Sequence, residues 1–437
     1  MDPETINIFA GRNRYGILRT MSMTLSEELA WRGFAHQTTY KDPAELDKHP
    51  ITFFFGVDPS ADSMQIGNLA SAMMVRHFID HGHKAVLLIG GATGMIGDPD
   101  GKKQERDLKT LDEIARNKTA IAAQYKTIFA GQDFEIVDNY DWFKGINYMD
   151  FLRDIGKHVP MRQMLGRDFV QSRLGEDGAG ISYAEFSYAL IQGYDFLHLH
   201  NEKKVTLQLC GADQWGNCIA GVELIRRIAS DEAHVWSAPL IINKATGIKF
   251  GKTEGGAVWL DPAKTSVYQF YQFWLNVDDE GAIDYMKVYT LLSREEIDDI
   301  AQKFNKDQAS RIAQKTLAYE VTKLVHGQKA ADTQVKVAEA LFGGGALELG
   351  PEEFKSLAQE FPVANVPKNM STDDLVTALA ETGLASSKTE ARRFLGSGAI
   401  YINNIKLEPG DDLVYDASAD YAIIRRGKNT TALLHIK

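Results

Sequence analysis

The chain has 437 residues, 44% of them hydrophobic, and a formal net charge of −11 at pH 7. That length supports two or three domains with real cores, and the charge excludes a generally basic nucleic-acid coat while leaving room for local basic stripes. The longest apolar runs, such as Ala85 to Ile89, fall far short of the roughly 20 residues needed to span a bilayer, and the two cysteines, Cys210 and Cys218, suit neither a disulfide framework nor a zinc site, which fits a reducing cytoplasm.

Met1 to Thr20 carries Arg12, Arg14 and Arg19 but no apolar core of the length a secretory signal requires, so residues 1–23 are expected to form an N-terminal arm without fixed structure. Met21 or Met23 is an equally good start. Leu25 to Phe34 predicts a packing helix. Ile51 to Val57 is β-branched and aromatic, as a buried strand should be, and Leu69, Ala72, Met73 and Ile79 then fall at helical spacing. The turn between them, Pro59 to Asn68, has Ser60 and Ser63 to cap amides, Gly67 to admit close backbone approach, and a helix N-terminus near Asn68 that suits an anion. His81 and His83 read as turn residues because no third metal ligand lies nearby. Ala85 to Ile89 predicts a parallel strand covered on both faces. The glycine-rich Gly90 to Pro99 fits neither GxGxxG nor a P-loop, since no Ser or Thr follows Gly101-Lys102; by pattern alone it is a tight turn, and Lys102 and Arg106 a solvated surface.

Leu108 to Phe129 predicts a helix, Phe134 to Val137 a strand, and Phe151 to Val159 and Met161 to Leu174 two further helices. Tyr188, Gln192 and Asp195 stand at i, i+4 and i+7, so one helix face presents a phenol, an amide and a carboxylate; spacing alone leaves a core network and a ligand pocket equally open. Val205 to Leu209, the turn Cys210 to Asn217 and a helix from Ile219 to Ile228 repeat the strand, turn and helix order, and predict a second ligand-facing loop at the carboxyl edge of a sheet. Pro239 to Ile242 predicts a short strand. In Lys249-Phe250-Gly251-Lys252-Thr253, two lysines three apart can close over a triphosphate, although a lone KxxK carries little weight. Ser266 to Asn276, Arg294 to Lys303 and Ser310 to Val325 read as helices, residues 343–370 as a linker, and Leu375 to Thr382 and Ser386 to Leu395 as helices before a hairpin, Ile400 to Ile405, turning at Asn403-Asn404.

Gly56-Val57-Asp58-Pro59-Ser60-Ala61-Asp62-Ser63 and the residues to Asn68 resemble the first signature of class I aminoacyl-tRNA synthetases, in the form found in bacterial-type tyrosyl-tRNA synthetases. Gln65 and Asn68 replace the two signature histidines, and amides can still donate to phosphate or ribose oxygens. Gly90 to Lys102 is similar to the family's GGATGxIGDPxGK, Tyr188 to Asp195 to its YxxxQxxD, Cys210 to Asn217 to its GGSDQWGN with cysteine for the first glycine, Lys249 to Thr253 to its KFGKT, and SKTEARRFLGSGAIYIN to an S4-type RNA-binding module.

The resemblance implies an α/β fold: a Rossmann-like parallel-sheet catalytic domain over 24–255, with a dimerisation insertion around 125–195, an α-helical anticodon-stem-binding domain over 256–342, and a small α+β S4-like RNA-binding domain over 371–437. It implies a cytoplasmic homodimer that activates L-tyrosine with ATP and loads tRNA(Tyr), with Mg²⁺ accompanying ATP and neither a tightly bound cofactor nor a dedicated metal cage. Carried over residue by residue, it puts Gln65, Asn68, Lys249 and Lys252 at the transition state with Lys102 and Arg106 as helpers. Tyrosine falls to Phe54, Asp98, Asn139, Tyr188, Gln192, Asp195 and Gln214, with Tyr188, Gln192 and Asp98 at the ammonium and Asp195 at the phenol. ATP falls to Gly56, Asp58, Ser60, Gly67, Gly211, Asp213, Lys252 and Thr253, and RNA to Lys388, Arg392 and Arg393. No nucleophile or acid/base pair stands out, which suits in-line attack by the substrate's own carboxylate.

Phe54 departs from the family, which has a tyrosine there to meet the substrate phenol. Losing one of two partners costs about 0.5–1.5 kcal/mol, so tyrosine is expected to remain the substrate but to be told from phenylalanine less sharply. Two alternatives stay open: a specialised relative that activates a modified tyrosine, suggested by Phe54, Gln65 and Cys210, and a non-catalytic RNA-binding paralogue, against which Lys249, Lys252, Asp195 and Asp213 argue.

Overall fold

A computed structural model describes residues 23–99, 108–166, 168–175, 178, 180–244, 247, 249–253, 256–342, 350–408, 420–427 and 430–437. The expected arm up to residue 22, Lys102, Arg106 and the glycines at 343–345 lie outside the described residues.

Six strands build the first sheet: β1 (Gln37–Thr38), β2 (Thr52–Val57), β3 (Lys84–Ile89), β4 (Phe134–Asp138), β5 (Val205–Gly211) and β6 (His234–Ala238). Their order is β1-β6-β5-β2-β3-β4, parallel throughout except for the short edge strand β1. The chain runs outward from β2 to β4, then returns to β5 on the other side of β2. The order therefore reverses between β2 and β5, which opens a crevice at their carboxyl ends.

The continuous apolar strands follow from burial on both faces. Phe53, Phe55, Leu207 and Leu209 point into one core with the helix α2 (Ile66–Asp80), and that core continues into the helices α6 (Val267–Leu275), α7 (Ala282–Tyr289), α8 (Arg294–Lys306) and α9 (Ile312–His326). Phe54, Val86 and Leu88 point the other way, against Leu190, Phe196 and Leu197 of α4 (Tyr183–Lys203). A second sheet, in the order β11-β10-β12-β13-β9, comprises β9 (Val363–Val366), β10 (Ile400–Ile402), β11 (Ile405–Lys406), β12 (Tyr421–Arg426) and β13 (Thr430–Ile436). It packs on the helices α12 (Thr372–Glu381) and α13 (Lys388–Gly396), and Asn403 and Asn404, both at positive φ, turn its hairpin as expected.

Four expectations are corrected. The strand placed at Pro239 to Ile242 lies at His234–Ala238, because Pro239 has no N–H to continue a ladder; Ile242 keeps only an isolated bridge to Lys249. The helix placed at Ile219 to Ile228 begins at Trp215 and ends in a π-helical turn, Ile225–Ala229. The two helices placed over Phe151 to Leu174 are shorter pieces, Tyr148–Asp154, Met161–Leu165 and Asp168–Leu174, interrupted at Gly156 and Gly166. Residues placed in a linker instead form a helix, Pro351–Leu357, and the parallel edge strand β9 beside β13.

Between Asp168–Leu174 and α4, Arg173 makes a bidentate pair with Glu185, at 2.9 and 2.8 Å, and its Nε donates to the Gly180 carbonyl at 2.6 Å. Both side chains are buried. Removing one partner strands the other charge, so Arg173→Ala is expected to lower stability by about 3–5 kcal/mol, read as a shift in the urea midpoint.

Candidate active site

A cavity of about 320 Å³ opens at the carboxyl ends of β2 and β5. The strand ends bring Gly56, Val57, Asp58, Gly211 and Asp213 to its rim, α2 brings Gln65, Gly67 and Asn68, and α4 brings Tyr188, Gln192 and Asp195. Phe54, Ser60, Asp98, Gln214 and Lys249 line it as well. So fifteen of the candidate catalytic, tyrosine-binding and ATP-binding residues, all of these but Val57, meet in one place.

The two signature segments touch. Ile66 donates its N–H to the Val258 carbonyl at 3.1 Å, and Leu260 donates to Met64 at 2.9 Å. Val258 in turn donates to Gly251 at 3.1 Å. Gly251 sits at φ +88, where a side chain is strained, and a Cβ there would stand 3.2 Å from the Ile66 Cβ. Phe250 is buried and stacks on Tyr285 at 4.1 Å, which anchors the segment to α7 and leaves Lys249 exposed at the cavity mouth. Lys252 and Thr253 form a two-residue strand paired with Gly256–Ala257. The Asn68 Oδ1 accepts from the Gln65 N–H at 2.9 Å, which caps α2 and leaves Nδ2 as the end that can donate.

A chain of polar side chains runs from the cavity wall into the core behind it. Tyr188 donates its hydroxyl to Asp58 Oδ2 at 2.7 Å, and Thr93 donates to Asp58 Oδ1 at 2.6 Å. Asn139 Nδ2 donates to Thr93 Oγ1 at 3.0 Å and to Asp195 Oδ2 at 3.1 Å, while its Oδ1 accepts from the Ala92 N–H at 2.7 Å. Trp142 Nε1 completes the set by donating to Asp195 Oδ1 at 2.9 Å. Gly90 is needed beneath this chain, because an added Cβ would collide with the Asp58 carboxylate and the Thr93 hydroxyl. Asn139 was expected at the substrate. It is fully buried behind Asp195, off the cavity wall, and orients that carboxyl instead.

Burial drives the electrostatics. Desolvation pushes the Asp195 carboxyl up to about 8, against the opposing hydrogen bonds from Asn139 and Trp142. It also holds the Tyr188 phenol well above its ordinary range, reinforced by Asp58. Asp98 accepts from Gln214 Nε2, and Asn217 donates to Gln214 Oε1 at 3.1 Å. The Gln192 Oε1, on the same wall, is buried without a hydrogen-bond partner among the described residues. Thr93, Trp142 and Gln208 went unnoticed in the sequence as site residues; the one usable signal was that Gln208 shares the strand alternation of Cys210. Far from the cavity, Lys388, Arg392 and Arg393 are exposed on α13, where Arg392 pairs with Asp373 at 3.0 Å and Arg393 with Glu390 at 2.9 Å.

The family described as "tRNA synthetases class I (W and Y)" matches residues 46–343, and the "Tyrosine--tRNA ligase SYY-like C-terminal domain" matches residues 353–434. A "Tyrosine--tRNA ligase" of Limosilactobacillus reuteri is 42% identical over 95% of this chain and all of that protein, and one of Staphylococcus haemolyticus is 43% identical over the same shares. The chain belongs to the class I tRNA synthetases, in the tyrosine–tRNA ligase family. A C-terminally truncated mitochondrial tyrosyl-tRNA synthetase of Aspergillus nidulans superposes with a TM-score of 0.66 at 29% identity, covering 73% of this chain and 94% of the other. A tyrosyl-tRNA synthetase of Archaeoglobus fulgidus, solved with L-tyrosine, shares the fold at a TM-score of 0.53 and 14% identity, covering 70% of this chain and 99% of the other.

The raised Asp195 has a stability consequence for this synthetase. The folded state keeps the proton to about pH 8 while the unfolded chain releases it near 3.8, so this contribution is complete below 3.8 and is lost as pH rises toward 8. Relative to Asp195→Asn, the wild type is expected to lose about 1.4 kcal/mol of unfolding free energy per pH unit across that window, then level off. Urea denaturation of both proteins from pH 5 to 9 checks the slope.

Proposed function

We infer that the chain activates L-tyrosine with ATP, releasing pyrophosphate, and then transfers the tyrosyl group to the terminal ribose of tRNA(Tyr). One observation carries the reading: both signature segments and a buried carboxyl of phenol-binding type face the same small cavity. The substrate phenol donates to Asp195. Its ammonium meets Asp98, Tyr188 and Gln192, whose Oε1, without a partner among the described residues, is an acceptor in want of a donor. Gln214 holds Asp98 in place.

ATP lies across the carboxyl ends of the strands. Gly56, Asp58, Ser60 and Gly67 take its phosphate side, Gly211 and Asp213 its ribose, and Lys252 and Thr253 are further contacts to ATP. The tyrosine carboxylate attacks the α-phosphorus in line, and no protein nucleophile is needed. Charge gathers on the phosphate oxygens as pyrophosphate leaves. Gln65, Asn68, Lys249 and Lys252 donate to those oxygens, with Lys102 and Arg106 as helpers. Mg²⁺ enters with ATP as part of the substrate, held chiefly by its phosphates.

Lys388, Arg392 and Arg393 form a modest, salt-sensitive RNA contact on α13. Tyr148, Met149, Met161, Leu174 and Tyr183 are all more than half exposed and lie within the segment read as a dimer insertion. That apolar surface supports a two-fold dimer, and we place the enzyme in the cytoplasm.

Tyrosine-dependent exchange of pyrophosphate into ATP is the expected activity, and a panel with phenylalanine and ring-substituted tyrosines tests the substrate. Silence with every amino acid, or preference for a substituted tyrosine, would overturn the reading. Lys249→Ala is expected to lower kcat about a hundredfold with little change in tyrosine KM. By sedimentation, the wild type is expected at twice the chain mass of 48.6 kDa, and a Leu174→Asp, Tyr183→Asp variant at the single-chain mass.

A further inference from the structure

The second sheet is covered on both faces. Ala422 and Ile424 of β12 face α12 and α13, while Ile423 and Leu433 face the other way, against Val337 and Leu341 of α10 (Gln328–Phe342). Polar contacts fasten that other face at two helix ends of opposite sign. The last four carbonyls of a helix lack partners within it. At the end of α10, Arg425 Nη1 donates to the Leu341 carbonyl at 3.0 Å, and Asn404 Nδ2 donates to the Ala340 carbonyl at 3.3 Å. Arg425 Nη2 also donates to Asn404 Oδ1, which joins the two caps. At the start of α6, Ser266, the N-cap, and Gln269 both donate to Glu360, the latter at 2.8 Å. A cation at a helix C-terminus and a carboxylate at an N-terminus each suit the helix dipole. Glu360, Asn404 and Arg425 all belong to the stretch matched by the C-terminal domain, so one module caps helices of another.

We propose that Arg425 is a positioning residue for RNA: with Asn404 and Glu360 it clamps the C-terminal module to α6 and α10, and so holds Lys388, Arg392 and Arg393 at a fixed distance from the active site. The inference rests on the reading of those three residues as RNA contacts. Strand alternation carries the link from the clamp to the contact helix. Arg425 leaves β12 toward α10, and Arg426, the next residue, leaves it toward α13. There the Arg426 guanidinium lies over the Phe394 ring at 5.0 Å, and that of Arg393 lies over the same ring at 5.2 Å. A module fixed in place presents its cations to phosphates without first being ordered by them, whereas a loosened one pays that entropy when RNA binds. The clamp touches neither the cavity nor its signature segments, so amino-acid activation does not depend on it.

The test measures charging of tRNA(Tyr) and tyrosine-dependent pyrophosphate exchange in the full-length wild type, Arg425→Ala, Arg425→Lys and Glu360→Ala. Arg425→Ala is expected to raise the KM for tRNA about tenfold, with kcat and the exchange rate within about twofold of the wild type. Arg425→Lys, which keeps a cation at the end of α10, is expected to recover most of that loss, and Glu360→Ala to raise the same KM about threefold. An unchanged KM for tRNA in Arg425→Ala would overturn the proposal, and so would an Arg425→Lys variant no better than Arg425→Ala. Exchange that falls in step with charging would overturn it too, because the contacts would then hold the whole enzyme together rather than place one module. Should Arg425→Ala not fold, Glu360→Ala decides, and an unchanged KM there is the contrary result. A KM for tRNA indifferent to Lys388→Ala, Arg392→Ala in the wild-type background would instead sink the RNA reading, so the two failures are distinguishable.

Discussion

Asp195 is a carboxyl group 1% exposed, caught between the Asn139 amide and the Trp142 indole, and the geometry of the cavity depends on how it is held. Taking a carboxylate out of water costs several kcal/mol, and each hydrogen bond to a charged group returns about 1.5–3. Two donors leave the balance close enough that the proton stays until about pH 8. The same donors run back through Thr93 and Asp58 to Tyr188, so one polar chain ties β2, the glycine-rich turn, the end of β4 and α4 together. Displacing any link misplaces the others, which is why the glycine at 90 tolerates no side chain.

The nucleotide side is organised differently, by backbone. The first signature turn and the segment after the second are joined by main-chain hydrogen bonds, and Gly251 rests on Ile66 where no Cβ fits without displacing it. Phe250 buries the base of the second signature in an aromatic cluster of α6 and α7, so the lysine before it is carried on a fixed stem. Rigid stems with exposed charged tips let a site close over phosphates without rebuilding its floor.

Much of this was legible in the sequence because the signals were local. Phe53 to Phe55 and Ala85 to Ile89 are unbroken apolar runs, and Tyr188, Gln192 and Asp195 mark a polar helix face by spacing alone. What escaped depends on long-range pairing. β6 is five residues with a histidine and a serine, and it exists because all five pair with β5 and two of them, Trp236 and Ser237, also pair with Thr38 and Gln37 some 200 residues away. β9 reads as a proline-bounded linker until β13 arrives to pair with it. Trp142 and Gln208 follow no motif; the first reaches Asp195 across 53 residues, and the second lines the cavity beside its strand neighbour Phe54.

The central claim is that a buried, protonated Asp195 receives the phenol of tyrosine. A third donor, added to Asn139 and Trp142, favours the carboxylate, so docking tyrosine at pH 7 should expel a proton. Calorimetric titration with tyrosine in two buffers of different ionisation enthalpy measures that proton directly. The account expects net release from the wild type at pH 7, little release above pH 9, and none from Asp195→Asn. Binding heats that are independent of buffer, or a release that survives in Asp195→Asn, would contradict it.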